Sequence, residues 1–206
     1  MLQPYLRFIA ITILFACSNR NKSKESQSAE KDSRIVGCYI PRTSDKDWYG
    51  SGKKAPKLEG LKGIDFKIST SSKEAQEYFA QGMMLAYGFN HAEAARSFYE
   101  AIRLDSTCAM AYWGFGYVLG PNYNAGMEED NFQRAYEASA KAKLLAKNCT
   151  SKEVALIEAL TARYAPKPPA ERRPLDAAYA ASKKKIYAHY LADPDIACLY
   201  AEEMMD

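Results

Sequence analysis

Two stretches of the sequence, EAQEYFAQGMMLAYGFN (Glu74–Asn90) and CAMAYWGFGYVLGPNYN (Cys108–Asn124), match each other when the first is shifted by 34 residues. The shift also aligns the aromatic residues Phe79 and Trp113. Identical residues meet at Ala75 and Ala109, Tyr78 and Tyr112, Gly82 and Gly116, Leu85 and Leu119, and Asn90 and Asn124. A repeat of this length is typical of stacked helix–turn–helix units, so the sequence predicts an all-α protein.

The signals for helix starts agree with this prediction. A small polar residue followed three positions later by glutamate is typical of a capping box, and an aspartate before a proline is typical of a helix start. These signals occur at Ser71 and Glu74, Asn90 and Glu93, Thr150 and Glu153, and Asp193 and Pro194. With the apolar spacing, they predict helices near residues 72–88, 91–104, 107–119, 130–147, 151–164, 174–192 and 195–206.

The first repeat also has small and large residues in a characteristic order. Gly82 and Ala94 are small enough for two antiparallel helices to approach closely, and Phe98 fills the gap beside them. This pattern resembles the tetratricopeptide (TPR) repeat, which implies a solenoid of helical hairpins over residues 71–206. Ser106 departs from the family, which usually has proline there. The last helix resembles half of a further repeat, so we expect the chain to be a C-terminally incomplete version of a longer protein.

A longer set of motifs resembles a group of bacterial, often lipid-anchored TPR proteins. The group has a pattern close to FNHxEAxRSF, then LDPxCAMxxWG, then GPNxN. The matching residues are Phe89, Asn90, His91, Glu93, Ala94, Arg96, Ser97, Phe98, Leu104, Asp105, Cys108, Ala109, Met110, Trp113, Gly114, Gly120, Pro121, Asn122 and Asn124. The resemblance implies a fold and a compartment but no reaction.

The N-terminus predicts export and a lipid anchor. Residues 1–17 contain a single arginine, then the apolar run FIAITILFA, then Cys17, and the run is too short to span a bilayer. The end of this segment resembles a lipobox, which implies that Cys17 carries acyl chains such as palmitate after cleavage. The alternative is an ordinary secretory signal with a chance cysteine. Residues 18–34 are polar and predict a disordered tether. Ser18 replaces the aspartate that favours inner-membrane retention, which indicates the outer membrane, facing the periplasm.

Residues 35–70 lie between the tether and the first repeat. Glycine, proline and lysine dominate this segment, around the apolar clusters IVGCYI (35–40) and GIDFKI (63–68). We expect an irregular N-terminal cap in which these clusters form two short strands. Export also exposes Cys38, Cys108, Cys149 and Cys198 to an oxidising compartment. The sequence does not choose among their three full pairings, nor between bridges and free buried thiols.

Charge and motifs narrow the functional classes. The chain has 206 residues and a formal net charge of +3, too small to indicate nucleic-acid binding. It contains no nucleophile motif, phosphate loop or metalloprotease motif, so we predict no catalytic residue, no cofactor and no enzyme activity. A metal site at His91 and nearby cysteines remains an alternative, although neither histidine has a second ligand at helical spacing.

The segment GPNYN, which ends the second stretch, is the candidate binding loop. Gly120 and Pro121 are typical of a helix end, and the next helix starts later than in the first repeat. Loops enlarged in this way often lie on a functional face of repeat proteins. The segment therefore either only ends the helix or also contacts a ligand. The candidate contact residues are Asn122, Tyr123 and Asn124 in this loop, with Tyr87, Tyr117 and His91 on the helices.

These observations favour a non-enzymatic TPR scaffold of the bacterial envelope. Repeat solenoids bind along one face, and helical grooves usually accept a peptide, so the expected partner is a protein or peptide. The alternatives are a glycan-binding surface lipoprotein with a helical-repeat core and a metal-carrying envelope protein.

Overall fold

A computed structural model of the chain describes residues 46–61 and 63–205. The described residues are helical apart from their loops and one isolated pair of bridged residues, Asn122 and Ala125, so the all-α prediction is confirmed. The predictions for the signal peptide, Cys17, the tether and Cys38 lie outside the described residues. The helices are α1 (Lys46–Gly50), α2 (Lys73–Tyr87), α3 (His91–Leu104), α4 (Ala109–Val118), α5 (Asn131–Leu145), α6 (Ser151–Ala162), α7 (Arg173–His189) and α8 (Pro194–Glu203), with a 3-10 turn at Ala146–Asn148.

The helices pack in the order of the chain. From α2 to α8 each helix contacts the next one, and α4 also contacts both α2 and α6. Helices α2, α4 and α6 therefore form one layer, with α3 and α5 packed against it. A single hairpin of this kind has too little interior to bury its apolar face, and the neighbouring hairpins complete the core.

Side-chain caps fix where the helices begin. Thr150 and Glu153 form the reciprocal capping box that the sequence predicts, and Asn90 accepts a hydrogen bond from the Glu93 N–H. The first cap is displaced by one residue from its predicted position. Ser72, not Ser71, is the N-cap of α2, because its hydroxyl lies within 3.1 Å of the Ala75 N–H, the third residue of the helix.

The first two helical hairpins, α2–α3 and α4–α5, pack together at the Phe98 ring. Phe98 is fully buried on α3, between Gly82 of α2 and Gly114 of α4. A Cβ atom added at Gly82 would lie 2.7 Å from the ring, and one added at Gly114 would lie closer still. The expected role of Gly82 is therefore seen in the geometry, and Gly114 of α4 has the same role against the same ring.

The segment before α2 is irregular, as predicted, but GIDFKI does not form a strand. Phe66 is fully buried and contacts the rings of Phe79 and Trp113, which anchors the segment to the core. The Gln76 side chain accepts a hydrogen bond from the Ile68 N–H (3.0 Å) and donates one to the Phe66 carbonyl (2.9 Å). A glutamine amide thus replaces a neighbouring strand in satisfying this backbone.

The turn between α2 and α3 contains a strained residue. Phe89 has a φ of +58°, the left-handed region that favours glycine, and its side chain is 50% exposed. The Phe89 N–H donates to the Ala86 carbonyl and the Asn90 N–H donates to the Leu85 carbonyl, which is the Schellman pattern of a helix end. Phe89 therefore occupies the left-handed position at which helices that end in this way usually have glycine.

Replacing Phe89 with glycine is expected to raise the free energy of unfolding by about 0.5–1 kcal/mol, because relief of the left-handed strain exceeds the entropic cost of glycine. Urea unfolding followed by circular dichroism measures the change. Phe89→Ala is the matched control, since it removes the ring but keeps the Cβ atom. Equal stability of the two variants would contradict this explanation.

Candidate functional site

The GPNYN segment forms a closed turn after α4. The Asn122 N–H donates to the Ala125 carbonyl (2.9 Å), and the Ala125 N–H donates back to Asn122 (3.0 Å). The Asn122 side-chain oxygen accepts a hydrogen bond from the Asn124 N–H (3.0 Å), so it shapes the turn. Tyr123 and Asn124 form the exposed tip, where the Tyr123 side chain is 63% exposed.

The base of this turn is fixed to the end of α6. Arg163 is buried and donates to the Pro121 carbonyl (2.7 Å) and to the Tyr117 carbonyl (3.3 Å). Tyr164 donates to a carbonyl of α4, and both side chains approach Gly120 so closely that a Cβ atom there would overlap them. Gly120 and Pro121 therefore end the helix, as expected, and they also provide the surface on which the buried arginine is held.

A cavity of about 500 Å³ opens between the turn and α7. This volume falls in the range of small-molecule and side-chain binding pockets. All three predicted loop residues, Asn122, Tyr123 and Asn124, line the cavity. The lining residues are Pro121, Asn122, Tyr123, Asn124, Ala125, Gly126, Arg163, Arg173, Asp176, Ala177, Ala180 and Glu203.

The carboxylates of the cavity have cationic neighbours. Glu203 is buried, and its carboxylate lies 3.9 Å from the ammonium of Lys183, which is also buried. Asp176 lies 2.9 Å from the Nε atom of Arg172, at ion-pair distance although the N–H is poorly aligned for a hydrogen bond. Buried charges are tolerated when they are paired, as Glu203 and Lys183 are, whereas the Asp176 side chain is 40% exposed at the cavity.

The carboxylate of Glu202 on α8 acts electrostatically on the three predicted helix residues and on Tyr179, and these residues form a second cluster. Tyr117 donates a hydrogen bond to the Glu202 carboxylate. Burial raises the pKa of Tyr87, and the carboxylates of Asp195 and Glu202 raise it further. Glu202 also raises the pKa of the half-buried His91, against the stronger lowering by burial, so one carboxylate acts electrostatically on all three predicted residues.

Tyr117 was expected on an open binding face, but it is only 4% exposed. Its ring stacks on Trp113, with centroids 5.2 Å apart, and α8 places Glu202 over its hydroxyl. The sequence did not indicate this contact because Tyr117 and Glu202 are 85 residues apart. A direct ligand contact of Tyr117 is therefore not available in this arrangement, and Tyr123 is the exposed tyrosine of the predicted set.

The second cluster contains polar atoms without hydrogen bonds. The hydroxyls of Tyr87 and Tyr179 and both ring nitrogens of His91 are buried and have no partner among the described residues. A buried unsatisfied group costs about 1–3 kcal/mol. The arginine that holds the turn connects the two clusters, because its guanidinium also lies over the Tyr179 ring, 4.5 Å from the centroid.

The burial of His91 predicts a pH dependence of stability. Burial lowers the pKa of His91 from its ordinary value of 6.5; Arg163 lowers it further, and Glu202 opposes both. As the pH falls through this value, the unfolded chain binds the proton before the folded chain does, so stability decreases. Unfolding midpoints at about pH 7.5 and about pH 5.5 bracket the transition of an ordinary histidine.

Replacing His91 with glutamine is expected to reduce the difference between the two midpoints. His189 is exposed, so His189→Gln is the control and is expected to leave the difference unchanged. An undiminished difference in the His91→Gln protein would show that other groups cause the loss of stability.

The described cysteines are free thiols, with Cys108 buried, Cys149 half-buried and Cys198 exposed. Burial raises the pKa of Cys108 to about 11, so this thiol is protonated at neutral pH. Over residues 46–61 and 63–205, the structure contains no group of three or more His, Cys, Asp or Glu side chains arranged to hold a metal ion. Within the same part of the chain, none of the helices combines the length and the apolar character needed to cross a membrane.

Sequence reasoning missed the charged residues that build the cavity. Arg163 follows Leu156 and Leu160 at spacings of seven and three residues, which places it in register with the buried face of α6. An arginine in register with a buried helix face could have been recognised from the sequence as a residue with a structural or functional role. Glu203 and Arg173 gave no such signal, because only the packing of α7 and α8 brings them to the turn.

No family model, curated protein or solved structure matches the chain.

Proposed function

We propose that the protein is a non-enzymatic, TPR-type scaffold of the bacterial envelope that binds a partner protein through a short peptide segment. The cavity beside residues 121–126 is the observation that carries this proposal, because an enlarged loop of the helical array forms one wall of it. Binding residues are commonly found on loops that a rigid scaffold positions. The buried anchor of Arg163 on Pro121 supplies that rigidity.

The tip of the turn supports the same function. Tyr123 is exposed beside the cavity, and exposed tyrosines are enriched among the residues that dominate protein interfaces. Asn124 is exposed next to it and offers a side-chain amide. The cavity thus has an aromatic rim and polar walls, which is the arrangement needed to hold one side chain and the adjoining backbone of a partner.

The envelope location rests on the sequence of the first 34 residues. In this proposal Cys17 carries the acyl chains, residues 18–34 form the tether, and the helical domain faces the periplasm from the outer membrane. Metabolic labelling with an alkyne analogue of palmitate tests the anchor. Labelled wild-type protein and unlabelled Cys17→Ala protein are the expected results, and labelling that survives the substitution would contradict the assignment.

Glycan binding is the second candidate, and the exposed ring of Tyr123 favours it. An aromatic face beside the amides of Asn122 and Asn124 provides both a stacking surface and hydrogen-bonding groups. Titration with neutral oligosaccharides separates the two functions, because glycan binding would saturate without any protein partner.

Affinity capture from membranes tests the scaffold function. Full-length wild-type protein is expected to retain a partner that the double variant Tyr123→Ala/Asn124→Ala loses, since both side chains form the exposed tip. Gln133→Ala is the matched control, because Gln133 is exposed on α5 and does not line the cavity. The partner is then purified, and its direct binding is measured by calorimetry. Equal binding to wild type and double variant would contradict the proposed site.

A further inference from the structure

The two carboxylates of the cavity have cationic neighbours within the protein, although Asp176 Oδ1 accepts no hydrogen bond from the described residues. The Glu203 carboxylate faces Lys183, and the Asp176 carboxylate faces Arg172. The side-chain oxygen of Asn122 accepts the Asn124 N–H. A ligand that donates hydrogen bonds would therefore compete with existing interactions of the cavity.

The donors of the cavity are less engaged. Arg173 is exposed on the first turn of α7 and forms no ion pair with any residue in the described part of the chain. The side-chain amides of Asn122 and Asn124 each carry two N–H groups at the same cavity. The cavity thus offers N–H donors to a ligand, and they include the Arg173 guanidinium, which suits a carboxylate.

The apolar part of the cavity suits an extended chain. Ala177 and Ala180 of α7 form a floor of small side chains, and Ala125 and Gly126 line the facing wall. Tyr123 stands at the rim. A backbone can approach such a floor closely while one of its side chains packs against the tyrosine ring.

We propose that the cavity binds an acidic peptide segment, with one carboxylate at Arg173 and a neighbouring side chain against Tyr123. This inference rests on the proposed scaffold function and names the chemistry of its partner. A basic segment is disfavoured because it would place another cation beside Arg173, while the two lining carboxylates already have cationic neighbours.

The test uses the full-length protein and capped peptides of six glutamates or six lysines, with binding measured by calorimetry. The hexaglutamate peptide is expected to bind, and Arg173→Gln is expected to weaken it about tenfold, as for a lost charge-assisted hydrogen bond. Lys141→Gln is the matched control, because Lys141 is an exposed cation on α5 outside the cavity. Its affinity is expected to equal that of wild type.

Four results would overturn the inference. The first is that hexaglutamate does not bind, and the second is that Arg173→Gln and Lys141→Gln weaken its binding equally. The third is that hexalysine or a neutral oligosaccharide binds more tightly than hexaglutamate. The fourth is that inorganic phosphate binds saturably and displaces the peptide. The scaffold function is tested separately by capture of the membrane partner. If Arg173→Gln still captures the partner and Tyr123→Ala/Asn124→Ala does not, the scaffold function stands and only the acidic chemistry is wrong.

Discussion

Replacing Trp113 with alanine is expected to lower the free energy of unfolding by about 4 kcal/mol, which is typical for the loss of a large buried aromatic side chain. Trp113 is fully buried and contacts Phe66, Phe79 and Tyr117. Its ring therefore joins the N-terminal segment, α2 and α4. The substitution would leave a void bordered by three other aromatic rings, which cannot collapse without moving the helices that carry them.

Trp113 also makes a polar contact that no smaller apolar residue replaces. Its indole N–H donates to the Leu156 carbonyl of α6 (3.0 Å), in a buried environment. Trp113→Phe is expected to lie between wild type and Trp113→Ala, because it retains most of the packing and loses this hydrogen bond. Urea unfolding followed by circular dichroism gives all three values.

Tyr123→Ala is the control for the tryptophan series. The side chain is exposed, so this substitution is expected to change stability by no more than about 0.5 kcal/mol. The same variant is part of the binding test, where it must remain folded. A Trp113→Ala protein as stable as Tyr123→Ala would mean that the aromatic core does not hold α2, α4 and α6 together.

Replacing Gly114 with alanine is expected to destabilise the protein by about 2–3 kcal/mol, because the added methyl group overlaps the Phe98 ring. The ring has little room to move, since it also lies against Gly82 of α2. The substitution would push α3 away from α4 and open the joint between the first two hairpins. This destabilisation is the opposite of the usual effect, because replacing a glycine in a helix interior with alanine normally stabilises the helix.

Gly126→Ala separates this steric effect from a general effect of the substitution. No atom lies within 4 Å of a Cβ built at Gly126, so stability is expected to stay within about 0.5 kcal/mol of wild type. Gly114→Ala is expected to lower the free energy of unfolding less in a Phe98→Leu background than in the wild-type protein, because leucine lacks the overlapping ring atoms. Independent, additive effects of the two substitutions would contradict the proposed overlap.

Local signals explain why the helices were largely predictable. The sequence places α3 at residues 91–104, which are the bounds observed, because Asn90 caps its start. The start of α6 at Ser151 agrees with its predicted start, since Thr150 and Glu153 form a complete capping box. Helix ends were less accurate. The helix predicted at 174–192 ends at His189 in the structure. The prediction ran too far because nothing between His189 and Asp193 marks a stop.

The candidate site was predictable only in part, because most of its walls come from distant parts of the chain. The loop residues Asn122, Tyr123 and Asn124 line the cavity where a turn signal placed them. The opposite wall is formed by α7, and no local pattern indicates that α7 faces this turn. The same limitation applies to GIDFKI, whose alternating apolar residues suggested a strand although side-chain amides satisfy its backbone.

Amide hydrogen exchange of the full-length chain, with and without the purified partner, tests the binding cavity most directly. With the partner bound, we predict slower exchange in two segments that are far apart in sequence, residues 121–126 and the first two turns of α7. We predict little change in the exchange rates of α3. This pattern requires that one ligand bridge the turn and the helix. Protection confined to α3 and α5, with residues 121–126 unchanged, would show that the partner binds elsewhere on the helical array and would contradict the proposed site.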